Sequence, residues 1–354
     1  MWNQAGVYRR RRRTFTVSAA LIVLLIVIAS SQGGGSPTTH PPTPTVSASI
    51  PNSSAPLTYT PATSLLAPIR ASAAAQSPTG SAILLLGGLD SAGSSTGGIA
   101  TVSATGTTIT GELPASLDAG AAVELAGSVY LFGGEDDRTP TSRIYDYELS
   151  GDGDVNAEDE ELPTPAVGVS AAAIGDTIYI VGGYTGTDTL DTILAWKPGS
   201  VPTVVGRLEQ GLRYTAVAAV DGKLIIAGGL AVNGLPSKQV FMFNPAKKKV
   251  RRLTDLPIPL YAASAVALGK LVYVIGGLPG KNMIPVTTIY SIDPSASTAQ
   301  VGNAGVLPGP LAEESAAAVG SNAIYVAGGW NGSDPVASVG TLTVTASKSK
   351  SKAG

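Results

Sequence analysis

Seven side chains in this chain are of types that could act on a ligand together: Arg70, Asp118, Arg213, Tyr214, Tyr261, Glu313 and Glu314. Five of them fall at a near-constant distance before a recurring glycine pair. Counting back 15 residues from the first glycine reaches Asp118, Val167, Arg213, Tyr261 and Glu313, and a turn two residues longer moves the match in the first copy to Arg70. Tyr214 and Glu314 stand directly beside two of these. General acid–base work needs a carboxylate and a partner near the reacting centre, which Glu313 or Glu314 with Arg213 would supply. The same groups suit solvent-facing turns or a plug of mutual ion pairs, because structural ion pairs draw on the same residue types.

What the chain lacks narrows the chemistry. It has no cysteine, so disulfides, thiolate metal sites and cysteine nucleophiles are excluded. Its single histidine, His40, lies in a Pro/Ser/Thr-rich stretch, which leaves the remainder without an imidazole base or metal ligand. No cofactor and no metal are called for. The net charge of −2 with 14% charged residues gives no electrostatic footprint for nucleic acid. Asp152-Gly153-Asp154-Val155-Asn156 resembles the start of a calcium loop, but Ala157 and Pro163 occupy positions where glycine and a bidentate glutamate are needed. Lys247, Lys248, Lys249, Arg251 and Arg252 read as an exposed turn that could touch an anionic surface.

The elements that must position the seven residues are set by the glycine pairs. Each pair ends an apolar run, as in Ile83-Leu84-Leu85-Leu86-Gly87-Gly88, Ile178-Tyr179-Ile180-Val181-Gly182-Gly183 and Ile324-Tyr325-Val326-Ala327-Gly328-Gly329. The first glycines are 87, 133, 182, 228, 276 and 328, with steps of 46, 49, 46, 48 and 52 residues. Self-similarity at a period near 50 marks a propeller array. With 43 glycines, 25 prolines and 4 phenylalanines, the composition suits short strands and tight turns.

Each repeat reads as four antiparallel strands. An alanine-rich strand such as Ser315-Ala316-Ala317-Ala318-Val319 precedes a tight turn and the apolar run. A third strand and a short, more polar fourth follow, closed in most copies by a Leu-Pro turn. Apolar residues at nearly every position of the second strand predict cover on both faces, and small residues in the first place it nearest the axis. The last repeat lacks a fourth strand, whereas Leu57-Thr58-Tyr59-Thr60 stands unclaimed ahead of the first. The chain therefore predicts an all-β, six-bladed propeller over 57–346 whose last blade is completed by the N-terminal strand.

Over this stretch the sequence resembles the Kelch-repeat β-propellers, through the apolar-Gly-Gly runs and the elements Phe243-Asn244-Pro245 and Ile292-Asp293-Pro294. The tryptophan usual in the family's fourth strand is missing from most copies. The resemblance implies ligand binding around the axial opening, and it covers both scaffolds and enzymes. Among the enzymes are exported propellers that act on sialic acid as mutarotases or epimerases with Arg and Glu. Copper oxidases of this family need histidine ligands and a cysteine-linked tyrosine, which this chain lacks.

The N-terminus predicts location. Residues 9–13 are five arginines, and 15–29 are uncharged around Leu21-Ile22-Val23-Leu24-Leu25-Ile26-Val27-Ile28. Positive charge beside an apolar segment stays cytoplasmic, so 1–13 are expected inside, 14–31 as a transmembrane signal anchor, and the rest outside the cytoplasm. The other reading is cleavage near Val27-Ile28-Ala29, which would give a secreted protein. Residues 32–56, rich in Pro, Ser, Thr and Gly, predict a disordered stalk, and 347–354 a disordered tail. The expectation is a single-pass, membrane-tethered, monomeric propeller that binds a protein or glycan, with the sialic-acid enzyme as the rival.

Overall fold

The computed structural model describes residues 56–148, 155–280, 284–295 and 299–345. The segments expected as a cytoplasmic N-terminus, anchor, stalk up to residue 55 and tail, with Asp152 and Asp154, lie outside the described residues. Among the described residues, no helix is long and apolar enough to cross a membrane.

The described chain forms six four-stranded antiparallel sheets. Their inner strands are Ala73–Gln76, Ala121–Leu125, Ser170–Ile174, Ala216–Val220, Ser264–Leu268 and Ser315–Val319. Each packs against the next and the last against the first, closing a ring. Small side chains make this convergence possible: alanine occupies the positions where six backbones crowd around one axis. The fourth strand of the sixth blade is Leu57–Ser64, paired antiparallel with Ser338–Val344.

The core is six wedges, one between each pair of neighbouring blades. Alternate residues of one second strand serve two of them: Ile83 and Leu85 pack toward the sixth blade, Leu84 and Leu86 toward the second. That explains a strand apolar at every position, since period-2 alternation vanishes when both faces are covered. Trp196 fills the wedge between the second and third blades, edge-on to Tyr130 and Phe132 at ring centroids 5.0 and 5.2 Å apart.

The glycine pairs fasten blade to blade. At Gly87 and Gly88 the backbone takes φ of 61° and 115°, and the Gly88 N–H donates to the Leu117 carbonyl at 2.8 Å, where the chain passes to the second blade. The same bond recurs in all six blades, ending with Gly329 to Ile69 at 2.8 Å. A Cβ on Gly87 would stand 2.0 Å from the Leu117 oxygen. Both demands of the pair, left-handed φ and close backbone approach, thus hold at one turn.

Candidate functional site

The mouth of the axial channel is built one residue past the bridges that join each inner strand to the chain after the glycine pair. Those bridges pair Arg70 with Leu89, Asp118 with Glu135, Val167 with Tyr184, Arg213 with Leu230, Tyr261 with Leu278 and Ala312 with Trp330. The 15-residue step thus places Asp118, Val167, Arg213 and Tyr261 in equivalent positions, with Arg70 after its longer turn. It misplaces Glu313. The hairpin of the sixth blade holds three residues, Gly320, Ser321 and Asn322, where the equivalent turn of the fourth blade holds two. Ala312 therefore takes the bridge position, and Glu313 becomes the counterpart of Tyr214.

The next position in each blade forms a closed ring of backbone hydrogen bonds. Ala119 donates to Ala71, Gly168 to Ala119, Tyr214 to Gly168, Ala262 to Tyr214, Glu313 to Ala262 and Ala71 to Glu313, at 2.8 to 3.0 Å. All six residues hold φ between 50° and 65°, a conformation that costs non-glycine residues about 1 kcal/mol each and persists because the ring over-determines it. Two of the six carry large side chains. Tyr214 lies across the ring over Gly168, where a Cβ would stand 2.7 Å from its aromatic carbons.

Above this ring lies a cavity of about 400 Å³ lined by Arg70, Asp118, Glu135, Arg213, Tyr214, Tyr261, Glu313 and Glu314 among others. All seven residues singled out in the sequence converge here. Arg70 and Glu313 form an ion pair joining the first and sixth blades. Asp118 is 5% exposed and accepts a hydrogen bond from Ser95 Oγ at 2.7 Å; burial raises its pKa against the lowering by that bond and by Arg70. Burial, reinforced by the Asp118 charge, also raises Glu135.

Arg213 has no carboxylate partner among the described ion pairs. Its guanidinium carbon lies 4.2 Å from the Tyr184 ring centroid and 5.5 Å from that of Tyr214. The buried Nε has no hydrogen-bond partner. A guanidinium stacked on aromatic rings is oriented without a direct ion pair, although its charge reaches the Glu135 carboxyl in the same cavity and lowers that group's pKa against burial. Burial pushes the Tyr214 phenol up to about 12 and also raises Tyr261, leaving both as neutral donors.

Glu314 does not stand at the open rim. It is 5% exposed and reaches toward the fifth blade, where Oε1 accepts from the Ser264 N–H at 3.0 Å. Oε2 is buried without a partner beside Gly276. Burial pushes its pKa up to about 8, so at neutral pH it is chiefly a carboxylic acid. Glu314 lines both the mouth cavity and the narrower channel below it.

Glu135 and Tyr184 escaped the sequence reading. A signal for them exists: the residue directly after each glycine pair bridges to the mouth position, so Leu89, Glu135, Tyr184, Leu230, Leu278 and Trp330 share this place. No cluster of metal-ligating side chains occurs among the described residues.

A family model described as Kelch motif matches residues 165–200 and 211–257, the third and fourth blades. Alpha-scruin of Limulus polyphemus is 28% identical over 181 residues, 47% of this chain and 19% of that protein. The Kelch repeat protein M-T8 of Myxoma virus is 26% identical over 156 residues, 42% of this chain and 29% of that protein. N-acetylneuraminate epimerase of Haemophilus influenzae (strain PittEE) is 34% identical over 123 residues, 33% of this chain and 32% of that protein. The matches thus span a third or less of each relative. The solved structure of YjhT superposes with a TM-score of 0.68 at 15% identity, covering 80% of this chain and 97% of that one, a likeness of fold.

Proposed function

We propose, from the premise that this chain is a Kelch-repeat β-propeller, that it is an interaction module receiving a protein or glycan group at its channel mouth. In this reading the segment 14–31 holds it at the membrane with the propeller on the extracytoplasmic side. The observation that carries the binding role is Arg213, oriented by Tyr184 and Tyr214 at an open cavity and without a direct ion pair among the described residues.

A second reading is an enzyme of the N-acetylneuraminate epimerase type. It is favoured by the similarity to that relative and by two carboxyl groups of different character in one cavity, Glu313 beside Arg70 and Glu314 held neutral by burial. A proton donor and a charged partner are what acid–base work at an anomeric carbon requires.

NMR with N-acetylneuraminate and the purified full chain separates the two. The module reading expects saturation transfer to bound sugar or to a sialylated glycan that is lost in Arg213→Ala, with anomer exchange at its spontaneous rate. Accelerated exchange that disappears in Glu313→Gln and Glu314→Gln would overturn the module in favour of the enzyme. Unchanged binding in Arg213→Ala would remove the mouth as the binding site.

A further inference from the structure

The propeller has two unlike faces. Inner strands lead away from the mouth and second strands return to it, so the turns joining first to second and third to fourth strands lie on the far face. The chain also enters and leaves there. Leu57 pairs with Val344, and the Thr345 N–H donates to the Pro56 carbonyl at 2.8 Å.

Basic residues divide unevenly between these faces, with Arg251 and Arg252 on the fourth strand of the fourth blade, which runs from the far-face turn back toward the mouth. Arg70, Arg143, Arg207 and Arg213 stand at the mouth side, three of them stacked or ion-paired with groups in the same rim and Arg143 bound to Glu161. Lysines gather on the far face of the adjoining fourth and fifth blades. Lys223 and Lys270 occupy the turns after the inner strands; Lys247 ends the 3-10 turn Pro245–Lys247 that follows the third strand of the fourth blade, Lys248 caps it, Lys249 opens the fourth strand, and all three are exposed. None of these five has an ion-pair partner among the described residues, whereas Lys197 is held by Asp176 and Lys238, on the mouth side, by Asp255. The acidic residues at the same turns are Asp221 and Asp293. Beside the patch, Val201 at the far-face turn of the third blade is 70% exposed.

We propose that this far face docks on a bilayer, with Lys223, Lys247, Lys248, Lys249 and Lys270 against anionic lipid headgroups and the mouth cavity turned outward. The proposal rests on the membrane reading above for the source of the lipid. Lysine suits it: a compact, hydrated charge on a flexible stem tracks a diffuse layer of phosphates, where arginine's planar fork suits fixed bidentate partners. Each lysine near an anionic surface adds roughly fivefold to membrane affinity. A lipid surface is favoured over a soluble polyanion because the polypeptide before Pro56, which carries the apolar run Leu21 to Ile28, joins the propeller on this face and no other.

The test is amine acylation of the full chain in nanodiscs, read residue by residue by mass spectrometry. Discs of phosphatidylcholine are compared with discs containing phosphatidylglycerol. Several-fold slower acylation of the five lysines in anionic discs, with Lys238 unaffected and the protection lost at high salt, is the expected result. Reversal of Lys247, Lys248 and Lys249 to Glu should abolish the protection at Lys223 and Lys270. Equal rates in both discs, or equal slowing at Lys238, overturn the docking face; equal protection by soluble heparin overturns lipid as its partner. If the chain fails to co-elute with phosphatidylcholine discs, the anchor reading falls. Docking is then read from salt-sensitive co-elution with anionic discs, and its absence there overturns docking as well.

Discussion

A carboxyl group buried with one oxygen unpartnered is a liability that a propeller wall would not need, and Glu314 is such a group. Its counterparts in other blades, Ser72 and Thr215, are small hydroxyls with partners, donating to the Gly87 carbonyl and to Ser170 Oγ of the third blade. The consequence for pH is definite. Below the ordinary value of 4.5 the group is protonated folded and unfolded alike; between there and about 8 only the unfolded chain releases the proton. Stability should fall across that window as pH rises and level off above it, by an amount on the order of a few kcal/mol. Glu314→Gln keeps an acceptor for the Ser264 N–H and never ionises, so urea midpoints of the variant should not follow that slope and should exceed the parent's at alkaline pH. Parallel slopes in the two proteins would show that the carboxyl is ionised in the native state. Arg70 and Glu313, 28% and 21% exposed, are screened by solvent, and Glu313→Gln should cost no more than about 1 kcal/mol while still altering the mouth. At this scale the sequence was legible through its glycine ruler, which located Arg70, Asp118, Arg213 and Tyr261 in register. It could not show that Glu314 turns toward the fifth blade, because neighbouring residues on a strand do not declare which blade they face. Nor did it flag Tyr184, whose role depends on stacking against a residue from the next blade.

At the scale of the element, the glycine pair has two separable properties, its φ and its crowding. Gly222, in the turn of the fourth blade, has φ of 68° and nothing within 4 Å of where a Cβ would lie, whereas Gly182 has φ of 64° and a Cβ there would stand 2.1 Å from the Leu212 oxygen. Gly222→Ala should therefore cost about 1 kcal/mol, the left-handed penalty alone. Gly182→Ala should cost more than about 3 kcal/mol, because the clash is with backbone that also accepts the Gly183 N–H. Denaturant titrations of the two variants check this, and equal losses would mean that conformation, not interblade approach, explains the pair. The strands themselves were readable because the physical causes are local: alanine near the axis, and unbroken apolar runs where both faces are covered. The three-residue hairpin at Gly320, Ser321 and Asn322 was not, since a turn one residue longer leaves the composition of its flanking strands unchanged and shifts only their register.

For the whole molecule, closure depends on a strand that is first in sequence and last in the ring. Leu57 is 6% exposed and belongs to the wedge between the fifth and sixth blades, and its carbonyl stands 2.7 Å from where a Cβ on Gly305 would lie. The strand is therefore a packing element of two blades as well as the partner of Ser338–Val344. That it would close the sixth blade was visible in the sequence as a fourth strand missing at one end and a spare one at the other. Its contact with the fifth blade was not, because it is a consequence of the wedge geometry alone. Without 57–64 the Ser338–Val344 edge loses its partner, Leu342 loses its cover, and the exposed strand becomes a template for association. Because pairing Leu57 with Val344 joins the two ends of the propeller, this contact closes the longest loop in the fold and should form late. A chain lacking 57–64 should retain β structure in the far-ultraviolet, lose the single cooperative unfolding transition, and associate in sedimentation. A synthetic peptide of residues 56–66 added in trans should restore the monomer and the cooperative transition. A truncated chain that stays monomeric and unfolds at the parent's midpoint would show that five complete blades and three strands hold the ring unaided.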